Sequence, residues 1–197
     1  MEVVAERNSR AQAAQMLVEE FETIASASPE TVTLEFLSGR LGVKKAPDGD
    51  HAEIMRWLLT RCVRQRPDLW LYAERGLIVE AYRKGRARAD GVLAPDGHFA
   101  AHGEWSEAEG VLMTVEVTSY DEDTDSRDRR EKPAAYAAVG IPVCLLVDRD
   151  ECTVTVHSGP DRGRYRDTHT VAFGEEVALP GPVGITLGTE EFKRYVR

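Results

Sequence analysis

The stretch GVLMTVEVTSYDEDTDSRDRREKPAAYAAVGIPVCLLVDRD, residues 110–150, decides the fold. Its first part is apolar and β-branched, which predicts a central strand, yet this strand contains one acid, Glu116. Residues 131–140 predict a short helix that ends at Gly140, and residues 141–150 predict another buried strand. Because an unpaired buried charge costs several kcal/mol, Glu116 must be paired, protonated or bound to a cation.

The sequence before this stretch predicts two helices and several short strands. Hydrophobic residues at helical spacing predict an amphipathic helix over residues 8–27 and a second helix over residues 51–65, which Asp50 should cap. Between them, the alternating segment 31–45 predicts a hairpin that turns at SGR. Residues 68–90 predict three strands, with a turn at ERG between the first two.

The sequence after the irregular segment at residues 97–103 completes an α/β pattern. Residues 152–171 predict a hairpin around GPDRG, and residues 179–196 end in a capped helix. Because no repeat, low-complexity tract or linker interrupts the chain, we expect a single domain, residues 1–197. The predicted architecture is a mixed β-sheet flanked by helices, with an N-terminal helix and hairpin.

Composition narrows the class of protein. The chain has 197 residues and a formal net charge of −9, and 42% of its residues are hydrophobic, which is typical of a folded globular protein. No apolar run approaches the length of a membrane span, and no signal peptide is evident, so the cytoplasm is the expected location. The three cysteines, Cys62, Cys144 and Cys152, form no CxxC pair and are expected to be reduced thiols.

Two basic stretches could contact nucleic acid despite the acidic balance. They are residues 56–66 and residues 82–88, which contain four basic residues each. Solvated helix and strand faces are the favoured interpretation of both stretches, because charge runs are usually of that kind.

Three ionisable residues stand at predicted strand ends or helix starts. They are Asp90, Glu116 and Lys132. Two carboxylates from neighbouring strands, together with a backbone carbonyl, make an all-oxygen site that suits Mg²⁺ or Mn²⁺. A nearby lysine could orient or deprotonate a water for attack on a phosphodiester.

An ordered set of short segments carries a family resemblance. The segments are LEFLSGRL, GDH, RADGVLAP, VEVTS, DRREKPAAYAAVGIP, LLVDRD and GRYRD, and they span nearly all of residues 30–190. In this order and spacing the chain resembles the putative restriction endonuclease family (Uma2 type) of the PD-(D/E)XK nuclease superfamily.

The resemblance implies a restriction-endonuclease-like fold and a Mg²⁺-dependent endonuclease that acts on DNA, often as a homodimer. It implies Asp90 and Glu116 as metal ligands, completed by the backbone carbonyl of Val117. The parent motif has lysine at position 118, which is Thr118 here, and the family pattern moves the catalytic lysine to the following helix, where Lys132 stands.

Further positions match residues that border such sites. They are Glu35 in the first hairpin, His51 and Glu53 at the start of the second helix, and Thr118. Tyr136, four residues after Lys132, could face the site from the same helix, although packing is its favoured role.

The chain departs from the family pattern in three places. Ala89 replaces a proline that shapes the strand. Pro133 follows Lys132, which predicts that Lys132 is the N-cap of its helix, where the helix dipole would lower its pKa unless acids compensate. The acidic run at residues 121–125 would repel phosphate from the DNA path.

These departures leave a second interpretation open. The chain could be a nuclease-fold module without activity that binds a protein or nucleic acid and keeps its acids for structural reasons. Metal binding at Glu116 separates the two interpretations.

Overall fold

A computed structural model describes residues 16–80, 85–119 and 127–196 of the protein. Within these ranges the helices are short, apart from the second. They are α1 (Val18–Ala27), α2 (Gly49–Gln65), a π-helical turn (Arg127–Glu131) that leads into α3 (Lys132–Ala138), and a 3₁₀-helix (Thr189–Arg194).

Strands form most of the remaining ordered chain. They are β1 (Thr33–Leu37), β2 (Arg40–Lys44), β3 (Leu69–Ala73), β4 (Gly76–Val79), β5 (Gly85–Arg88), β6 (Gly91–Pro95), β7 (Trp105–Ser106), β8 (Met113–Val117), β9 (Val143–Asp148), β10 (Thr153–Asp161), β11 (Arg164–Ala172), β12 (Glu176–Leu179) and β13 (Ile185–Gly188).

These strands separate into two large sheets and a hairpin. The five-stranded sheet has the order β2-β1-β5-β4-β7, the six-stranded sheet has the order β11-β10-β9-β8-β6-β3, and β12 pairs with β13. In the six-stranded sheet β8 and β9 are parallel, and α3 connects them. The mixed α/β class predicted from the sequence is confirmed, with the strands divided between two sheets.

The chain crosses from one sheet to the other at Asp90. Strand β5 belongs to the five-stranded sheet and β6 to the six-stranded sheet, and Ala89 and Asp90 alone separate them. Because β6 pairs antiparallel with β8 and Gly91 lies opposite Val115, Asp90 lies beside the end of β8. This junction determines where the polar residues of both sheets meet.

The six-stranded sheet has a different core on each face. Alternate residues of β8 and β9, such as Val115 and Leu145, pack with α2, β12 and β13 in one cluster of buried side chains. On the other face Cys144 packs with Ala135 and Tyr136 of α3. Since strand side chains alternate between faces, Glu116 points to the α3 side of the sheet.

The N-terminal helix covers the five-stranded sheet. Phe21 of α1 stacks on Phe36 of β1, with ring centroids 5.3 Å apart, and meets the edge of Trp105. This confirms that the first helix packs on a later part of the chain. The first half of the expected helix, residues 8–15, lies outside the described residues.

Two local predictions need correction. Helix α2 begins after Asp48, whose carboxylate accepts a hydrogen bond from the His51 amide at 2.8 Å, so the cap is Asp48 and not Asp50. The closing helix is a 3₁₀-helix, and its N-cap residue, Gly188, provides no side-chain capping hydrogen bond. The segment ERG separates two strands as predicted, and these strands, β3 and β4, belong to different sheets.

Two further observations concern the class of protein. Cys62, Cys144 and Cys152 are free thiols, as expected. Among the described residues, no helix combines the length and apolar character needed to cross a membrane.

We predict that Leu145→Ala lowers the free energy of unfolding by about 2–5 kcal/mol, because Leu145 is completely buried in the central strand and its loss leaves a cavity. Urea denaturation followed by circular dichroism measures this change. Arg166→Ala, on the exposed side of edge strand β11, is the control and should shift it by less than about 0.5 kcal/mol. Equal effects of the two substitutions would contradict the assigned core.

Candidate active site

A cleft of about 260 Å³ opens where the two sheets and the start of α2 meet. Its lining contains acidic and basic side chains in similar number. They are Glu35, Lys44, Lys45, Asp48, His51, Asp90, Arg127, Asp128, Lys132 and Arg149, together with Val117 and Ser119. Asp90 and Lys132, two of the three residues singled out from the sequence, line the cleft, whereas Glu116 is completely buried and contacts Lys132.

Asp90 is held from both sides of the cleft. One carboxylate oxygen, Oδ1, lies 2.6 Å from the Lys44 ammonium, while Oδ2 accepts a hydrogen bond from the Val117 amide at 2.7 Å and lies 3.1 Å from His51 Nε2. Burial alone would raise the pKa of Asp90, but Lys44 and His51 hold it well below its ordinary value. Asp90 is therefore an anion at neutral pH.

Glu116 is completely buried and has two partners on α3. Its Oε1 accepts a hydrogen bond from the Tyr136 hydroxyl at 2.5 Å, and its Oε2 lies 2.9 Å from the Lys132 ammonium. Burial raises the pKa of Glu116 although Lys132 opposes the rise. The acid in the core strand is thus tolerated because it is paired and hydrogen-bonded, and Tyr136 is a polar partner as well as a packing residue.

Lys132 connects three carboxylates. In addition to Glu116, its ammonium lies 3.1 Å from both Glu35 and Asp128, and it donates a hydrogen bond to the Arg88 carbonyl. Burial would lower the pKa of Lys132, but the surrounding carboxylates raise it well above its ordinary value. Lys132 therefore remains charged at neutral pH.

Lys132 was expected to be the N-cap of its helix, and this prediction is wrong. Lys132 begins α3, but Glu131 before it is already helical, because the π-helical turn from Arg127 runs directly into α3. The helical path therefore continues through Lys132, and Pro133 occupies the first turn without turning the side chain away. The acids that compensate its charge are Asp128, Glu116 and Glu35. The acidic run at 121–125 lies outside the described residues.

Lys44 and Asp128 belong to the same cluster but were not predicted from the sequence. Lys44 ends β2, and its ammonium also donates to the Arg88 carbonyl at 2.8 Å. The hairpin register places Gly42 opposite Glu35, so Lys44, two residues later, shares the face of Glu35. The hairpin register was the signal that could have identified Lys44, and the four-residue spacing from Lys132 was the signal that could have identified Asp128.

The cluster contains more acidic than basic groups. Four carboxylates, those of Glu35, Asp90, Glu116 and Asp128, face the two ammonium groups of Lys44 and Lys132, so the formal charge is −2 when all six groups are ionised. Burial also raises the pKa of Asp128, as it does for Glu116. A divalent cation has the charge that would balance this set.

The residues present fit a hard divalent cation by the chemistry of their donors, which are carboxylate and carbonyl oxygens. In the described part of the chain, however, no group of three or more Asp, Glu, His or Cys side chains has an arrangement that could hold a metal ion. The two expected ligands contact ammonium groups instead. Asp90 contacts Lys44, and Glu116 contacts Lys132.

A further cation that lines the cleft, Arg149, directly follows β9. Arg149 is buried, its guanidinium lies 3.1 Å from Asp48, and its amide donates to the Thr118 hydroxyl at 2.9 Å. Thr118 thus fixes the loop after β9 and does not supply the ammonium that the parent motif has there. Sequence reasoning missed Arg149, for which no local signal exists.

Of the remaining candidate residues, two contact the cluster and one does not. Glu35 and His51 contact the cluster through Lys132 and Asp90, as described. Glu53 instead lies 2.8 Å from Arg56 on the exposed side of α2 and does not line the cleft.

The basic stretches are mostly engaged in surface ion pairs. Arg66 pairs with Asp68, Arg86 with Glu22, and Arg88 with Glu104. Arg83 and Lys84 lie outside the described residues. The paired arginines favour the solvated or structural interpretation of both stretches.

Comparison with known proteins gives a matching family model and matching solved structures. The family model described as "Putative restriction endonuclease" (Uma2) matches residues 18–190. A crystal structure titled as a putative nuclease belonging to DUF820, from Anabaena variabilis, superposes with a TM-score of 0.68 at 16% sequence identity and covers 91% of this chain and 98% of that chain. No curated protein matches. At this identity the solved structure supports the fold.

We predict that Lys132→Met lowers the free energy of unfolding by about 3–5 kcal/mol at pH 8, since it leaves three buried carboxylates without their shared cation. The loss should shrink toward pH 5.5. Carboxylates with raised pKa values bind protons in the folded state that the unfolded state has released, so stability falls as pH rises through that window. Urea denaturation at several pH values measures this.

The control for that measurement is Lys45→Met, which removes an exposed lysine next to the cluster. It should change stability by less than about 0.5 kcal/mol at either pH. A pH-independent loss in Lys132→Met would contradict the charge assignment of the cluster.

Proposed function

The chain belongs to the putative restriction endonuclease family, and on that premise we propose that it is a nuclease that hydrolyses DNA phosphodiester bonds with the help of Mg²⁺ or Mn²⁺. One observation carries the proposal. Asp90 and Lys132, which are distant in sequence, line one cleft. The buried Glu116 contacts Lys132, and Asp90 accepts a hydrogen bond from Val117, the residue after Glu116.

Asp90 and Glu116, with the Val117 carbonyl, are the groups that would hold the cation. A bound Mg²⁺ or Mn²⁺ would supply Lewis acidity and neutralise charge that develops on the phosphate. The neighbouring residues hold these two acids in place. The Val117 amide fixes one oxygen of Asp90, and the Tyr136 hydroxyl fixes one oxygen of Glu116.

Lys132 serves this chemistry as an ammonium. The raised pKa of Lys132 disfavours its use as a general base at neutral pH. As a charged donor it orients the attacking water and stabilises negative charge on the phosphate oxygens, which is the role that preorganised donors have in buried sites. Glu35 and Asp128 keep it charged and aimed at Glu116.

Basic side chains around the cleft suit an anionic substrate. Lys45, Arg127 and Arg149 line it together with the acids. Local lysines and arginines can bind phosphates although the whole protein carries a net charge of −9, because phosphate contacts are short-ranged at physiological salt.

A second candidate function is a nuclease-fold module that binds a partner without cleaving it. The contacts of the two acids favour this alternative, since all four of their oxygens already have protein partners. Metal binding decides between the two candidates.

We predict that isothermal titration calorimetry detects Mn²⁺ or Mg²⁺ binding to the protein and that Glu116→Gln abolishes it. Gln keeps the shape and the Tyr136 contact but removes the charge that attracts the cation. Asp167→Asn, which neutralises an exposed acid on β11, is the matched control and should bind as the unmodified chain does. A protein that binds neither cation supports the second candidate.

We predict that Lys132→Arg keeps Mn²⁺ binding but lowers the rate of metal-dependent plasmid DNA cleavage by about 100-fold or more. Arg preserves the charge that stabilises the cluster, whereas its planar fork does not replace a compact ammonium. Gel electrophoresis of nicked and linear products measures cleavage, with EDTA as the background. Unchanged cleavage would remove Lys132 from the reaction.

A further inference from the structure

Lys44 makes the shortest ion pair in the cluster, and it has no part in the reaction proposed above. Its ammonium lies 2.6 Å from Asp90 Oδ1, and its side chain is 9% exposed. The other oxygen of Asp90 is committed to the Val117 amide and to His51. Oδ1 is therefore the oxygen that Asp90 can offer to a cation, and Lys44 contacts it.

From these contacts we propose that Lys44 controls cation occupancy at Asp90, because its ammonium and a divalent cation compete for the same carboxylate oxygen. This inference rests on the proposed metal site. Lys44 is a positioning residue in this scheme, since it acts through Asp90 and needs no contact with substrate.

Two positive groups cannot share Oδ1 at low cost. An ammonium within hydrogen-bonding distance of the oxygen would lie a few Å from a cation bound to that oxygen, in a buried setting where repulsion is poorly screened. The Lys44 ammonium must therefore leave when the cation arrives. The arrangement at Glu116 differs, because there Lys132 is also held by Glu35 and Asp128.

The fold gives Lys44 somewhere to go. It is the last residue of β2, an edge strand that pairs only with β1 among the described strands. The chain then continues as an irregular, exposed segment, residues 45–48, up to α2. A flexible four-carbon side chain at such a strand end can turn to solvent when it gives up its pair with Asp90 and its hydrogen bond to the Arg88 carbonyl.

The first experiment measures Mn²⁺ affinity by calorimetry. Lys44→Met, which keeps the apolar stem, should lower the Kd by about tenfold or more, because the competing ammonium is gone. Lys193→Met is the control, since it removes a lysine that is 51% exposed and does not line the cleft. It should change the Kd by less than about threefold, as expected for a screened surface charge.

The second experiment uses the unmodified chain and separates displacement from simple repulsion. Amine acetylation with mass-spectrometric readout, at constant ionic strength, reports how accessible each lysine is. Saturating Mn²⁺ should raise labelling of Lys44 severalfold, while Lys193, which is 51% exposed, stays constant. Unchanged or reduced labelling of Lys44 with Mn²⁺ bound would overturn the proposal, even if Lys44→Met failed to fold.

The outcomes distinguish this inference from the function on which it rests. If neither the unmodified chain nor Lys44→Met binds Mn²⁺, the proposed metal site and the inference both fail. If the unmodified chain binds Mn²⁺ and Lys44→Met binds it no more tightly, the inference alone fails. Tighter binding by Lys44→Met together with release of Lys44 supports it.

Discussion

The contact between the Lys132 ammonium and three buried carboxylates is the interaction on which the rest of the site depends. Glu35 comes from β1, Glu116 from β8 and Asp128 from the turn before α3, so one cation connects both sheets and the helix that packs between them. A buried carboxylate without such a partner would cost several kcal/mol or take up a proton. The apolar packing of α3 through Tyr136 and Ala135 keeps this cation in place.

The sequence was informative at positions where the local sequence pattern and the tertiary contacts of a residue indicate the same role. Glu116 was recognisable because an acid in an apolar, β-branched strand violates the pattern of its neighbours, and the structure gives it a buried cation and a hydroxyl. Asp90 was singled out by its place at a predicted strand end and by the family resemblance, and it accepts a hydrogen bond from Val117, the residue after Glu116. The course of the chain between the two sheets was not readable, because a turn at ERG does not show whether the strands on either side of it pair.

Local rules failed where the chain continues in an unexpected way. Pro133 predicts a helix start, but the π-helical turn before it makes Lys132 an interior position and removes the expected effect of the dipole on its pKa. Asp48 caps α2 instead of Asp50, and its carboxylate accepts a hydrogen bond from the His51 amide. Arg149 joins the cleft through tertiary placement, which no short-range pattern encodes, whereas the register of the first hairpin was the available signal for Lys44.

The two-residue passage from β5 to β6 has a consequence for when the site can exist. Asp90 lies in that passage, whereas its partners come earlier from β2 and α2 and later from β8. A chain still being synthesised, or one with only the five-stranded sheet formed, lacks Glu116 and Lys132 and has no complete cleft. Any chemistry at this cleft is thus confined to the finished fold.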